Sequence, residues 1–149
     1  MVRILHTISD TVRLDNAMKV LVTGGCGYKG HVLVPKLLAA GYDVRVVDTQ
    51  WFGEFHQDHP RLELQIGDVR QLNSNVFNNV DTIIHLASIA NDPCGDLNPK
   101  LTWETSCLAT MQLADEAVRR GIKRFIYASS GSVYGVNNEP KVNEDVRLA

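Results

Sequence analysis

A glycine-spaced turn between an apolar strand and a helical segment constrains this chain more than any other feature. Val20-Leu21-Val22 is a continuous apolar run, and Val32-Leu33-Val34-Pro35-Lys36-Leu37-Leu38 has helical spacing. Between them lies Thr23-Gly24-Gly25-Cys26-Gly27-Tyr28-Lys29-Gly30, with Gly24, Gly27 and Gly30 at intervals of three. A strand–turn–helix of this kind brings bare backbone N–H groups and a helix N-terminus up to a pyrophosphate. A glycine triplet alone means little. One set between a strand and a helix, with an acid ending the next strand, is far more specific. Asp48 is that acid. The spacing is G-x-x-G-x-x-G rather than the G-x-G-x-x-G of simple dehydrogenases. Tyr28 and Lys29 lie in the turn itself, and Lys29 either approaches phosphate or points to water.

Strands and helices alternate from Met18 onward. The pattern predicts strands at Lys19–Thr23, Asp43–Asp48, Leu62–Ile66, Asp81–Ala87 and Lys123–Ser129. It predicts a helix over Gly27–Ala40, stopped by Gly41, and a longer one over Pro99–Arg120, stopped by Gly121. Trp51–Pro60 and Asn91–Asn98 read as loops, and Val69–Asn79 as a short helix or turn. Repeated β–α units imply a parallel sheet with right-handed crossovers and helices on both faces. Ligands of such sheets sit outside the carboxyl ends of the strands. Residues Met1 to Ala17 lack periodicity and read as an extension or vector-derived tail, or else as a short packed helix. Residues 18–149 form the single domain that the length allows.

The remaining composition narrows the function classes. A chain of 149 residues with net charge −2 and no basic cluster does not present a nucleic-acid surface. No apolar run is long enough to span a bilayer. Cys26, Cys94 and Cys107 are an odd number of scattered thiols, which favours a reduced, cytoplasmic setting without a disulfide framework. His56-x-x-His59 has no further ligands nearby and reads as a solvated pair rather than a metal site, and His85 as a hydrogen-bonded core histidine.

The chemistry-bearing residues fall at strand ends. A carboxylate at Asp48 is placed to accept both ribose hydroxyls of an adenosine and repels a 2′-phosphate, which favours NAD over NADP. Arg45, mid-strand, is expected to face solvent or a neighbouring helix. Asp68, after the third strand, accepts either from an adenine amino group or from backbone N–H groups as a helix cap. Ser129-Ser130-Gly131-Ser132-Val133-Tyr134-Gly135 follows the fifth strand. Its hydroxyls either hold a substrate oxygen or satisfy a serine-rich turn.

Taken together, these residues resemble the extended short-chain dehydrogenase/reductase superfamily, specifically the NAD-dependent epimerase/dehydratase family acting on nucleotide sugars. The resemblance runs from about Met18 to the end. It rests on the glycine turn, Asp48, Gly67-Asp68-Val69, His85-Leu86-Ala87-Ser88, Gly121-Ile122-Lys123-Arg124-Phe125 and Tyr127-Ala128-Ser129-Ser130-x-Ser132-Val133-Tyr134-Gly135. It implies a Rossmann-type α/β fold with strand order 3-2-1-4-5, cut short before the remaining strands and the substrate domain. By position, Gly24, Gly27 and Gly30 match the pyrophosphate turn, Asp48 the ribose acid, and Asp68 with Val69 the adenine contact. Leu86, Ala87 and Ser88 match the segment passing the inner ribose and phosphates. Ser106 falls where the family carries a helix asparagine. Ser129 would line the nicotinamide side, and Ser130 matches the catalytic Ser/Thr. The family's Tyr-x-x-x-Lys pair is absent, since Tyr134 is followed four residues later by Asn138. The resemblance therefore implies the cofactor-binding part of an epimerase, dehydratase or reductase that turns nothing over alone. A non-catalytic dinucleotide sensor is the alternative. A homodimer through the long helix is implied too, unless that helix packs only on its own sheet.

Overall fold

The computed structural model describes residues 17–54, 56–90, 92–136, 143 and 145. Five parallel strands form one sheet: β1 (Lys19–Thr23), β2 (Asp43–Asp48), β3 (Leu62–Ile66), β4 (Thr82–His85) and β5 (Arg124–Tyr127), in the order β3-β2-β1-β4-β5. The expected order is therefore borne out. The register sets Val22 beside Val46 on one side and Ile84 on the other. The strands consequently end together, and the loops at their carboxyl ends converge.

Two apolar layers sandwich the sheet. On one face Val20, Val22, Val44 and Val46 pack against Val34 of α1 (Tyr28–Ala39). On the other, Leu21, Val47 and Ile83 pack against Leu113 and Ala117 of α4 (Ala109–Arg119) and against Val76 and Phe77. Buried aliphatics of this size contribute roughly 1.5–3 kcal/mol each. After α1, Gly41 adopts φ 88°, and Tyr42 N–H returns to the Leu37 carbonyl at 3.1 Å, closing the helix as the glycine foretold.

Three local expectations need correction. The supposed loop at 91–98 contains a short helix, α2 (Asp92–Leu97); Pro93 sits in its first turn, where its fixed φ suits a helix. The long helix over 99–120 is divided. α3 (Pro99–Trp103) passes through a π turn, Glu104–Leu108, into α4. Strands β4 and β5 are shorter than expected, running only over Thr82–His85 and Arg124–Tyr127. The segment after β3, expected as a short helix or turn, is two 3-10 turns, Val69–Gln71 and Ser74–Phe77.

Arg45 faces the 3-10 turn rather than solvent. Its guanidinium is buried, pairs with Glu63 at 2.5 Å, and donates to the carbonyls of Val76 (2.8 Å) and Asn78 (3.0 Å). Burial alone would raise the Glu63 carboxyl, but hydrogen bonds from Lys19 and Arg45 outweigh it and hold the group below its ordinary value. Arg45 is thus committed to structure. The expectations for residues 1–16 and most of the tail beyond 136 lie outside the described residues.

Candidate functional site

The three glycines of the turn do different work. Gly24 has φ 72°, and a Cβ there would lie 2.5 Å from the Ala87 backbone nitrogen. A Cβ on Gly30 would lie 2.2 Å from the Gly25 carbonyl oxygen. The chain's own packing therefore demands both. Gly27 has an ordinary φ of −77°, and its Cβ would meet only the Gly24 carbonyl, at 3.3 Å. Among the described residues nothing else comes within 4 Å of that position, which opens onto a groove lined by Gly24, Gly27, Asp48, Asp68, Ala87 and Ser88.

Gly27 is also the N-cap of α1. No side chain caps this end, and its first turn holds no acid. The first N–H groups of a helix have no intrahelical partner, and the helix dipole adds positive potential there. Tyr28 and Lys29 occupy that first turn with exposed side chains. An oxyanion in the groove would thus meet backbone N–H groups across a residue that has no side chain.

Asp48 stands beside the turn. One carboxylate oxygen accepts from Cys26 N–H at 3.0 Å and the other from Gln50 N–H at 2.7 Å. The Cys26 thiol is pushed up to about 11, first by burial and then by the Asp48 and Glu54 charges, so it is no nucleophile. Beyond Asp48 the loop turns at Gln50, with φ 56°, and sets Trp51 and Phe52 along the groove. Those two aromatics escaped the sequence reading; a pair of large rings three residues beyond Asp48 was the available signal. His56, expected as half of a solvated pair, makes a backbone contact instead. Its Nε2 lies 2.8 Å from the Gly25 carbonyl, which can only accept, so Nε2–H donates and ties this loop to the turn. Among the described residues no group of three or more His, Cys, Asp or Glu could hold a metal.

Asp68 performs the capping role. It accepts from Arg70 N–H at 2.9 Å and takes the Arg70 guanidinium on both oxygens, the shortest contact being 2.6 Å. That hydrogen bonding holds its carboxyl below the usual range. Arg70 reaches on to Glu104 at 3.2 Å, linking the end of β3 to the π turn. Gly67, Asp68 and Val69 form one end of the groove wall.

Leu86, Ala87, Ser88 and Ile89 line the other end, with Thr105 from the π turn. Ser106 accepts from Ile89 N–H at 3.1 Å and lies 3.0 Å from the Ser88 hydroxyl. Such π turns recur at functional sites. Ser129 and Ser130 follow β5 and are exposed, outside the groove wall. Ser130 Oγ accepts from Ser132 N–H at 3.1 Å, capping the 3-10 turn Gly131–Tyr134, and its O–H remains available to donate. The site thus brings together Gly24, Gly27, Asp48, Asp68, Val69, Leu86, Ala87 and Ser88. Ser129 and Ser130 stand apart from them.

Comparison with known proteins agrees with this geometry. The sequence model described as the NAD dependent epimerase/dehydratase family matches residues 20–148. UDP-glucuronic acid decarboxylase 1 of Danio rerio is 36% identical over 132 residues, covering 85% of this chain and 31% of the relative. A putative UDP-glucose 4-epimerase of Methanocaldococcus jannaschii is 32% identical, covering 85% and 43%. The solved structure of MoeE5 in complex with UDP-glucose and NAD superposes with a TM-score of 0.71 at 31% identity, covering 86% of this chain and 42% of that one. The chain spans less than half the length of these relatives. With that model spanning residues 20–148, the chain belongs to the NAD-dependent epimerase/dehydratase family.

Proposed function

We propose that this chain is the dinucleotide-gripping part of an enzyme that oxidises a hydroxyl of a nucleotide sugar. The empty space before Gly27, at an uncapped helix N-terminus, carries the reading. The pyrophosphate lies across Gly24, Gly27 and Gly30, held by N–H groups of the first turn, with Tyr28 and Lys29 at its edge. Asp48 takes the adenosine ribose, and Asp68 and Val69 flank the adenine. Leu86, Ala87 and Ser88 pass the inner ribose, with Ser106 behind them. Ser129 lines the nicotinamide side, and Ser130 donates its hydroxyl proton to the sugar oxygen. When bound, NAD supplies the hydride acceptor. The proton of that sugar hydroxyl needs a base, and in this family a tyrosine with a lowered pKa serves.

The sequence here contains no Tyr-x-x-x-Lys pair after Ser130, so the chain by itself grips the cofactor and leaves the sugar unoxidised. The alternative reading is a dinucleotide-binding sensor; Ser130 in its Ser-Val-Tyr-Gly context favours the enzyme. Uridine-type nucleotide sugars are the substrate class that the relatives support. Pairing of two copies through the segment α3–α4, and a cytoplasmic setting for Cys26, Cys94 and Cys107, complete the proposal.

Calorimetric titration of the chain with NAD+ and NADP+ tests it. Binding of NAD+ is expected to be at least tenfold the tighter, and Asp48→Asn is expected to shrink that ratio severalfold. Equal affinities in the parent chain would contradict the assignment of Asp48.

A further inference from the structure

His85 ends β4 with no exposed surface and sits at the centre of a continuous polar chain. Its Nδ1 lies 2.5 Å from Thr23 Oγ1, and its Nε2 lies 2.8 Å from Thr110 Oγ1. Thr110 Oγ1 in turn lies 2.9 Å from the Ser106 carbonyl. A carbonyl only accepts, so the Thr110 hydroxyl donates there and takes Nε2–H on its oxygen. Nε2 therefore carries the ring proton, and bare Nδ1 accepts from the Thr23 hydroxyl. One tautomer satisfies every group in the chain. Tyr127 of β5 stacks on the imidazole, 5.7 Å between centroids, and closes it off. Burial drives the imidazole down to about 4, so it stays neutral through the physiological range.

This chain connects two parts of the groove that are distant in sequence. Thr23 is the last residue of β1, directly before Gly24 of the phosphate turn. Ser106 lies in the π turn between α3 and α4, and its hydroxyl holds Ser88 and the Ile89 N–H at the groove's far end. We infer that His85 and Thr110 are positioning residues that fix the π turn against the strand ends, so that Ser106 sets the Ser88–Ile89 wall where the nicotinamide half of a dinucleotide would lie. The inference rests on the proposed cofactor site and adds residues that touch no cofactor. Its physical basis is that the Thr110 hydroxyl bonds both the Ser106 carbonyl of the π turn and the His85 ring, and so ties the turn to the end of β4.

The test combines hydrogen exchange with two titrations. Thr110→Val keeps the shape and removes the hydroxyl. Exchange at the Ile89 amide is expected to speed at least tenfold, and NAD+ affinity to fall about fivefold. ADP, which lacks the nicotinamide half, is expected to bind within twofold of the parent. Thr110→Ser should restore both. Ser106→Ala leaves the buried chain intact and should reproduce the same split, which keeps the test decisive if Thr110→Val does not fold. Equal loss of NAD+ and ADP, or an unchanged Ile89 amide, would overturn the inference and leave a purely structural histidine. If the parent chain bound neither nucleotide, the cofactor reading would fail by itself. The Ile89 exchange rate, with a ¹⁵N spectrum showing Nε2 or Nδ1 as the protonated nitrogen, would still decide whether the tether exists.

Discussion

Every residue of β1 is buried, whereas β5 has only Phe125 even partly covered. Both strands run parallel in one sheet and both lead into residues of the proposed site. They differ in neighbours. β1 lies between β2 and β4, with α1 over one face and α4 over the other. Among the described residues β5 pairs with β4 alone, and Ile126 is 50% exposed. The phosphate turn thus grows out of a finished core, and its shape is fixed by contacts such as the one between Gly30 and Gly25. The Ser129–Ser130 segment grows out of an edge strand. The turn proposed for the cofactor and the serines proposed for the substrate are supported to different degrees.

The largest effect that sharpens this contrast belongs to Gly30→Ala. The added methyl would run into the Gly25 backbone, which cannot move without unseating α1. The loss should be about 3 kcal/mol or more, in the upper range for overpacking, and visible in urea denaturation. Acid comes next. The His85 imidazole has its ordinary value of 6.5 when unfolded and about 4 when folded. The unfolded state therefore takes up a proton that the folded state refuses. Stability is full above pH 6.5 and falls as pH drops from 6.5 towards 4, by roughly 1.4 kcal/mol per pH unit, about 3 kcal/mol in all. Denaturation midpoints measured across that window check the slope; a flat profile would mean the imidazole is not sequestered. The smallest effect is expected at the edge. Ile126→Ala should change stability by less than about 1 kcal/mol, where an Ile buried as Ile83 is would cost about 2–5 kcal/mol. A large loss at Ile126 would show that β5 is as well supported as β1.

How much of this was legible in the sequence follows from which forces are local. The five strands, the strand-to-helix place of the glycine turn, the place of Asp48 at the end of β2 and the helix stops at Gly41 and Gly121 depend on short-range patterns and were readable, whereas the strand order came through the family resemblance. The buried state of Arg45 was not, because it depends on carbonyls of Val76 and Asn78, thirty residues away. The break at Glu104–Leu108 was hidden because one extra residue in a helical turn leaves the apolar spacing nearly intact. α2 was masked by Pro93 and Gly95, residues that read as loop. Trp51 and Phe52 became part of the groove only through the left-handed turn at Gln50 and the anchor from His56 to Gly25. Asp68 showed the reverse case: both roles were visible, and the structure displays the cap.

The central claim is that a diphosphate lies against Gly27. Titration of NAD+ into the parent chain and into Gly27→Ala tests it, with circular dichroism and urea melts run on both. The account predicts that Gly27→Ala keeps its fold, with stability within about 0.5 kcal/mol, and loses at least tenfold in NAD+ affinity. A folded Gly27→Ala protein that binds NAD+ as the parent does would contradict it.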